Sequence, residues 1–207
     1  MNILRYVRNP VLSSGSENGM IDQIIGIDEV GRGCIAGPVV ACAIITHVSA
    51  IPLCCRDSKK FTENRRKVIA RICLPYVDKT AFGTVSSEII DKFGIKNATK
   101  LAMNKAYEKL GPNHDIVYID GVGGIGIEGE IVVPHGDDLI PWISLASIYG
   151  KIYRDAMMIR YSEMEQYRMY HLNRNKGYLT HEHFNALKKF GPSDLHRKSF
   201  NWKNSWR

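Results

Sequence analysis

The chain has 207 residues, 44% of them apolar, and a formal net charge of +7, enough for one sizeable core or a main domain with a small appendage. No run of eighteen uncharged apolar residues occurs, which argues against a membrane span, and the stretch around Arg5 and Arg8 lacks the apolar centre of a secretory leader. Five cysteines (Cys34, Cys42, Cys54, Cys55, Cys73) make an odd set without paired C-x-x-C spacing, so neither a disulfide framework nor a zinc site is expected. A reducing, cytoplasmic setting fits that usage.

Residues 1–20, with SSGSENG inside them, read as a flexible N-terminal arm. QIIGIDEV and VVACAIIT follow as two β-branched, apolar strands separated by a turn region from Gly31 to Pro38. TENRRKVIARICLPY reads as a helix with Thr62 as N-cap and Pro75 at its end. TAFGTVSS reads as a third strand, and NATKLAMNKAYEKLG as a helix stopped by Gly111-Pro112. DIVYID and GEIVVP are two more strands. Pro141 opens a long helix through about Met164, Asp138 stands as a candidate cap for it, and THEHFNALKKFG supplies one more helix. The pattern predicts an α/β fold: a mixed five-stranded sheet flanked by helices, with a core over residues 21–160 and a helical basic C-terminal extension over 161–207.

The charge is unevenly placed. Residues 1–150 hold sixteen Lys or Arg against sixteen Asp or Glu, whereas residues 151–207 hold twelve against five. Tyr153, Tyr161, Tyr167, Tyr170, Tyr178, Trp202 and Trp206 interleave with the basic residues. That mixture suits phosphate contacts and stacking on bases or sugars, though a basic run also serves as a solvated face.

Three strands end in carboxylates: Asp28 with Glu29, then Asp120, then Asp137 in the turn after the last strand. A lone acid at a strand end is ordinarily a turn-former or a helix cap. Four at neighbouring strand ends would raise one another's pKa unless a cation compensates, and hard divalent ions such as Mg²⁺ or Mn²⁺ prefer oxygen ligands. Adjacent residues on a regular strand face opposite ways, so Asp28 and Glu29 are expected to meet only if the strand bends near Gly31 and Gly33. GVGGIG (121–126) matches a dinucleotide-binding pattern, but the strand-like IEGEIVVP after it replaces the helix such a site needs, so a flexible hairpin-type connection is expected. His181 and His183 form an H-x-H expected at a solvated helix face rather than at a metal.

Taken together, GIDEVGRG (26–33), DSKK (57–60), YIDG (118–121), GDDLIPWISLASIYGKIYRD (136–155) and KGYLTHEHF (176–184), supported by HRKSF (196–200), resemble the ribonuclease HII family over roughly residues 22–201. The resemblance implies a ribonuclease-H-like sheet. It also implies endonucleolytic hydrolysis of the RNA strand in RNA/DNA hybrids, and cutting 5′ of single ribonucleotides in duplex DNA to leave 5′-phosphate and 3′-hydroxyl ends. By position Asp28, Glu29, Asp120 and Asp137 match the family's metal-binding acids, expected to hold two Mg²⁺ or Mn²⁺ ions about 3.5–4 Å apart. Gly31-Arg32-Gly33 matches the segment that reads the 2′-OH with main-chain groups, although Arg32 alone could serve as an ion-pair partner of the acids. Tyr178 matches the tyrosine that stacks on the sugar at the RNA-to-DNA step. Lys59 and Lys60 are candidate phosphate contacts. On the long helix Ser144, Ser147 and Lys151 share a face; close packing explains the serines as well as ligand contact does, and packing is the preferred reading. His135 stands where the family usually has lysine, and Leu179 where it usually has proline. A monomer acting on RNA/DNA hybrid and ribonucleotide-containing duplex, without a membrane, is expected. The competing readings are a DNA endonuclease or resolvase of similar fold and a non-catalytic hybrid-binding module.

Overall fold

The computed structural model describes residues 23–47, 61–111, 116–121 and 123–202. Lys59, Lys60 and Trp206 lie outside them. Strands β1 (Gln23–Val30), β2 (Val39–His47), β3 (Val77–Val85), β4 (Ile116–Asp120) and β5 (Ile131–Val133) form one sheet in the order β3-β2-β1-β4-β5. The β1–β2 and β2–β3 pairs are antiparallel, and β1–β4 and β4–β5 are parallel, so the sheet is mixed as expected. β1 is central and covered on both faces, which is why Ile24, Ile25 and Ile27 form a nearly continuous apolar run instead of alternating with polar residues.

The helices are α1 (Glu63–Cys73), α2 (Ser87–Glu108), α3 (Gly136–Leu139), α4 (Pro141–Glu163), α5 (Leu172–Asn175) and α6 (His181–Phe190). α2 covers one face of the sheet, its Ala98, Ala102, Met103 and Ala106 packing with Ile25, Ile27, Val117 and Ile119. α1 and α4 cover the other, where Ile69, Trp142, Ile143 and Leu145 meet Ile24, Ile44 and Tyr118. Thr62 caps α1 as expected, its hydroxyl accepting from the Arg65 N–H at 3.3 Å.

Some boundaries move. α2 starts ten residues before the periodic stretch, because Ser86 is an N-cap accepting from the Ile89 N–H, and the chain breaks its helical geometry only at Gly94. The two serines read as a strand end therefore begin a helix. Asp138 does not cap α4; it lies in α3, and the extended Ile140 precedes Pro141 without a side-chain cap. The glycines of 121–126 lie in a connection between strands, but it is no hairpin, because β4 and β5 pair in parallel, and its second half is pinned. The pin is Glu130, whose carboxylate accepts from the N–H groups of Ile125, Gly126 and Ile127 at 3.0–3.2 Å. A Cβ on Gly124 would collide with that carboxylate at 1.5 Å.

The C-terminal third closes over the β1–β2 connection. Ile35 and Ala36 form a third cluster with Met158, Tyr167, Tyr170, Leu172, Ala186 and Leu187. Tyr167 and Tyr170 are therefore core residues and cannot stack on bases. Tyr153 is engaged face to face with Phe82 at 4.1 Å between ring centroids. Of the basic segment's tyrosines, Tyr178 reaches the cleft described below.

His183 also departs from expectation, being fully buried rather than solvated. The Ser193 N–H donates to His196 Nδ1 at 3.0 Å, so His196 carries its proton on Nε2 and donates to His183 Nε2 at 3.0 Å. That leaves His183 Nδ1–H to donate to the Tyr178 carbonyl at 2.9 Å. Burial lowers the pKa of both imidazoles, and for His196 the nearby His183 adds to it, bringing the group to about 4. An unfolded histidine titrates near 6.5. The unfolded chain therefore takes up protons that the folded one refuses as pH falls from 6.5 towards 4, and the stability present above 6.5 is lost across that window, about 3 kcal/mol from His196. Urea unfolding of His196→Asn, which retains an acceptor for Ser193, should show lower stability at pH 7 but a flatter pH dependence; a slope equal to wild type would refute the assignment.

Candidate active site

Register brings the acids together. β1 and β4 run parallel with Ile27 opposite Ile119, so Asp28 and Asp120 follow side by side one residue later. Both leave the sheet on the α4 face, as Ile24 and Tyr118 do, while Glu29 starts from the other face. No bend resolves this. β1 stays regularly paired with β2 through Val30 opposite Val40. Instead β4 ends at Asp120, and the longer Glu29 side chain reaches round the open strand end. One carboxylate oxygen from each of Asp28, Glu29 and Asp120 then lies within 4.8 Å of the others.

The cluster is tightly held. The Glu29 N–H donates to Asp28 Oδ1 at 2.7 Å, and the Gly136 N–H donates to Asp120 Oδ1 at 2.6 Å. Burial first, then the charges of Glu29 and Asp120, push the Asp28 carboxyl well above the ordinary range, against a hydrogen bond from Ser147. Glu29 is raised too, mainly by burial and opposed by the Arg32 guanidinium, whose Nη1 lies 3.1 Å from Glu29 Oε1. Arg32 thus does act as an ion-pair partner. Three crowded carboxylates are a fitting donor set for a hard divalent cation, which removes the repulsion.

Asp137 stands apart from that set. It is fully buried on α3, next to the Gly136 that binds Asp120, and its charge adds to the pressure on Asp28. Its carboxylate is outside the 4.8 Å group.

Asp28, Glu29 and Asp120 line a cleft of about 280 Å³ together with Gly31, Arg32, Arg66, Ser147, Lys151 and Tyr178. Gly31 has φ +89°, and a Cβ there would meet Arg154 Nε at 2.2 Å, so only glycine fits. Gly33 faces open space. Tyr178 is 42% exposed, and Lys151 Nζ lies 5.4 Å from its ring centroid. Burial pushes the Tyr178 phenol up to about 12, so it stays protonated near neutrality. Glu29, Arg32 and Asp120 also border a second groove of about 550 Å³ with Lys96 and Lys100.

Arg66 and Lys151 at the cleft wall carried no functional reading from sequence, and Ser147 reads there as packing. Ser144 is indeed fully buried, but Ser147 hydrogen-bonds Asp28. The available signal was the three- and four-residue spacing that aligns Ser144, Ser147, Lys151 and Asp155 along one helix face. Lys151 donates to Asp155 Oδ1 at 2.6 Å, and Arg66 Nη2 lies 3.9 Å from Asp155 Oδ2.

A family model described as Ribonuclease HII matches residues 25–205. The chain belongs to that family. A "Ribonuclease HII" from Borrelia recurrentis (strain A1) is 43% identical over 180 residues, spanning 86% of this chain and 98% of the relative. Among solved structures, the fold resembles one titled as the PCNA:RNase HII complex from Archaeoglobus fulgidus, with TM-score 0.71, 22% identity and coverage of 87% of this chain and 95% of that one. It also resembles Bst-RNase HIII in complex with Mn²⁺, with TM-score 0.64, 17% identity and coverage of 87% and 68%. The protein is a metal-dependent endoribonuclease, and ribonuclease HII activity is directed at the RNA of RNA/DNA hybrids. No helix among the described residues is long and apolar enough to cross a membrane.

Proposed function

We propose that this ribonuclease HII cuts 5′ of single ribonucleotides in duplex DNA, as well as within hybrids, by a two-cation mechanism leaving 5′-phosphate and 3′-hydroxyl ends. The observation that carries the reading is the convergence of Asp28, Glu29 and Asp120 in one cleft with Gly31, Arg32 and Tyr178. Asp28, Glu29 and Asp120 would hold the Mg²⁺ or Mn²⁺ ions, with Asp137 completing the acid set from α3. When bound, such cations supply an activated water and charge stabilisation at the leaving 3′ oxygen.

The other groups act directly on substrate. Main-chain groups of Gly31-Arg32-Gly33 hydrogen-bond the 2′-OH, the group that distinguishes ribose from deoxyribose. Tyr178, protonated and half-exposed, packs against the neighbouring sugar and is no base. Lys151 and Arg66 line the wall at which phosphates enter. Lys59 and Lys60 are assigned further phosphate contacts. The enzyme is proposed to act as a cytoplasmic monomer.

The test uses a duplex DNA carrying one ribonucleotide and an all-DNA control, with Mg²⁺ or Mn²⁺, for wild type and Asp120→Asn. Metal-dependent cutting only at the ribonucleotide, lost in the variant, is expected. Equal cutting of both duplexes would point to a DNA endonuclease, and binding without cutting to a hybrid-binding module.

A further inference from the structure

Two arginines, Arg154 and Arg197, have no exposed surface at all. Their bonds go to main-chain carbonyls around the cleft. Arg197 donates through Nη2 to Gly31 O at 2.7 Å, through Nη1 to Arg32 O at 2.8 Å, and through Nε and Nη2 to Gly37 O at 3.1 and 2.9 Å. Arg154 donates through Nε to Pro38 O at 3.0 Å, through Nη2 to Ala36 O at 3.0 Å, and through Nη1 to Lys176 O at 2.8 Å. Burying a guanidinium is costly unless its donors are satisfied, and here they are spent on one loop and the turn before Tyr178.

In a planar trans peptide the C=O and the following N–H point in opposite directions. Fixing Gly31 O therefore aims the Arg32 N–H away from Arg197, and fixing Arg32 O does the same for the Gly33 N–H. One rigid fork sets two consecutive peptide planes. Gly31 is also pressed against the Arg154 side chain, so the turn is clamped from two sides. The Lys176 carbonyl, held by the same Arg154, is two residues from Tyr178.

We propose that Arg197 is the positioning residue that orients the Gly31-Arg32-Gly33 peptides for ribose recognition, with Arg154 locking that turn to the Tyr178 segment as one unit. Arg197 touches no substrate; it acts through the peptides it holds. The proposal rests on the 2′-OH reading above. Burial brings the Arg197 guanidinium down to about 10, which still leaves it charged at neutral pH. Lysine, a point charge on a flexible stem, cannot serve three separated carbonyls in one plane.

The experiment compares wild type, Arg197→Lys and Arg197→Ala by fluorescence anisotropy in Ca²⁺, which is used to hold back cutting, on a one-ribonucleotide duplex and its all-DNA twin. Mn²⁺ binding to the free protein and thermal melting are measured alongside. Wild type must first prefer the ribonucleotide; if it does not, the 2′-OH reading fails and not this proposal. Given that preference, both variants should lose it by about tenfold or more, on the scale of catalytic and binding losses from sub-ångström to ångström misplacement, while all-DNA affinity and Mn²⁺ binding stay near wild type. Guanidinium ion should restore the preference to Arg197→Ala but not to Arg197→Lys. Folded variants that keep the wild-type ribonucleotide preference, or that lose affinity for both duplexes and for Mn²⁺ in equal measure, would overturn the proposal.

Discussion

Asp28→Asn is expected to abolish cleavage and, in metal-free protein, to raise the melting temperature. Asp28 is 3% exposed, central to the acid cluster, and held well above the usual carboxylate range by burial and by Glu29 and Asp120. Asparagine keeps the shape and an acceptor for the Glu29 N–H while removing the charge that opposes folding. The same charge is what a cation needs, and losing several kcal/mol of electrostatic stabilisation in the transition state costs about a thousandfold in rate. Melting with and without Mn²⁺ separates the two effects. Wild type should gain markedly from Mn²⁺, and the variant, more stable alone by about 2–4 °C for each kcal/mol of relieved repulsion, should gain little. Activity within tenfold of wild type would remove Asp28 from the site.

Gly26→Ala should cause a large loss of stability from a single methyl group. A Cβ there would lie 2.6 Å from both the carbonyl carbon and oxygen of Trp142 and 3.0 Å from the Ile143 nitrogen. Those atoms are helix backbone and cannot rotate aside, so α4 must back away from β1. Overpacking of this kind costs about 3 kcal/mol, or roughly 10 °C in melting temperature for a chain of this size. Because α4 carries Ser147 to Asp28 and Lys151 to the cleft, the surviving folded fraction should also turn over more slowly. Thermal melting and cleavage rates below the transition check both; a variant as stable and active as wild type would mean that the helix is not tightly seated.

The sheet and most helices are legible along the chain because they are local. Ile24, Ile25 and Ile27 beside the apolar 39–46 run announce central strands, and Thr62 with Pro75 brackets α1. The early start of α2 was not legible, since Ser86 can end a strand or cap a helix, and only packing of the following turn on the sheet decides.

The site divides in the same way. Acids at the ends of β1 and β4, and glycines beside them, are set by residue type at a strand end, and the sequence alone determines them. How Glu29 joins Asp28 was decided by topology: parallel pairing that ends at Asp120 opens a path round the strand end, where sequence reasoning asked for a bend. The burial of Asp137, the neutral His183–His196 pair and the two arginines under the Gly31-Arg32-Gly33 turn are likewise tertiary results. Each depends on groups far apart in sequence becoming the nearest available hydrogen-bond partners once water is excluded. A one-dimensional pattern records which side chains can donate or accept, whereas the folded core decides which of them must.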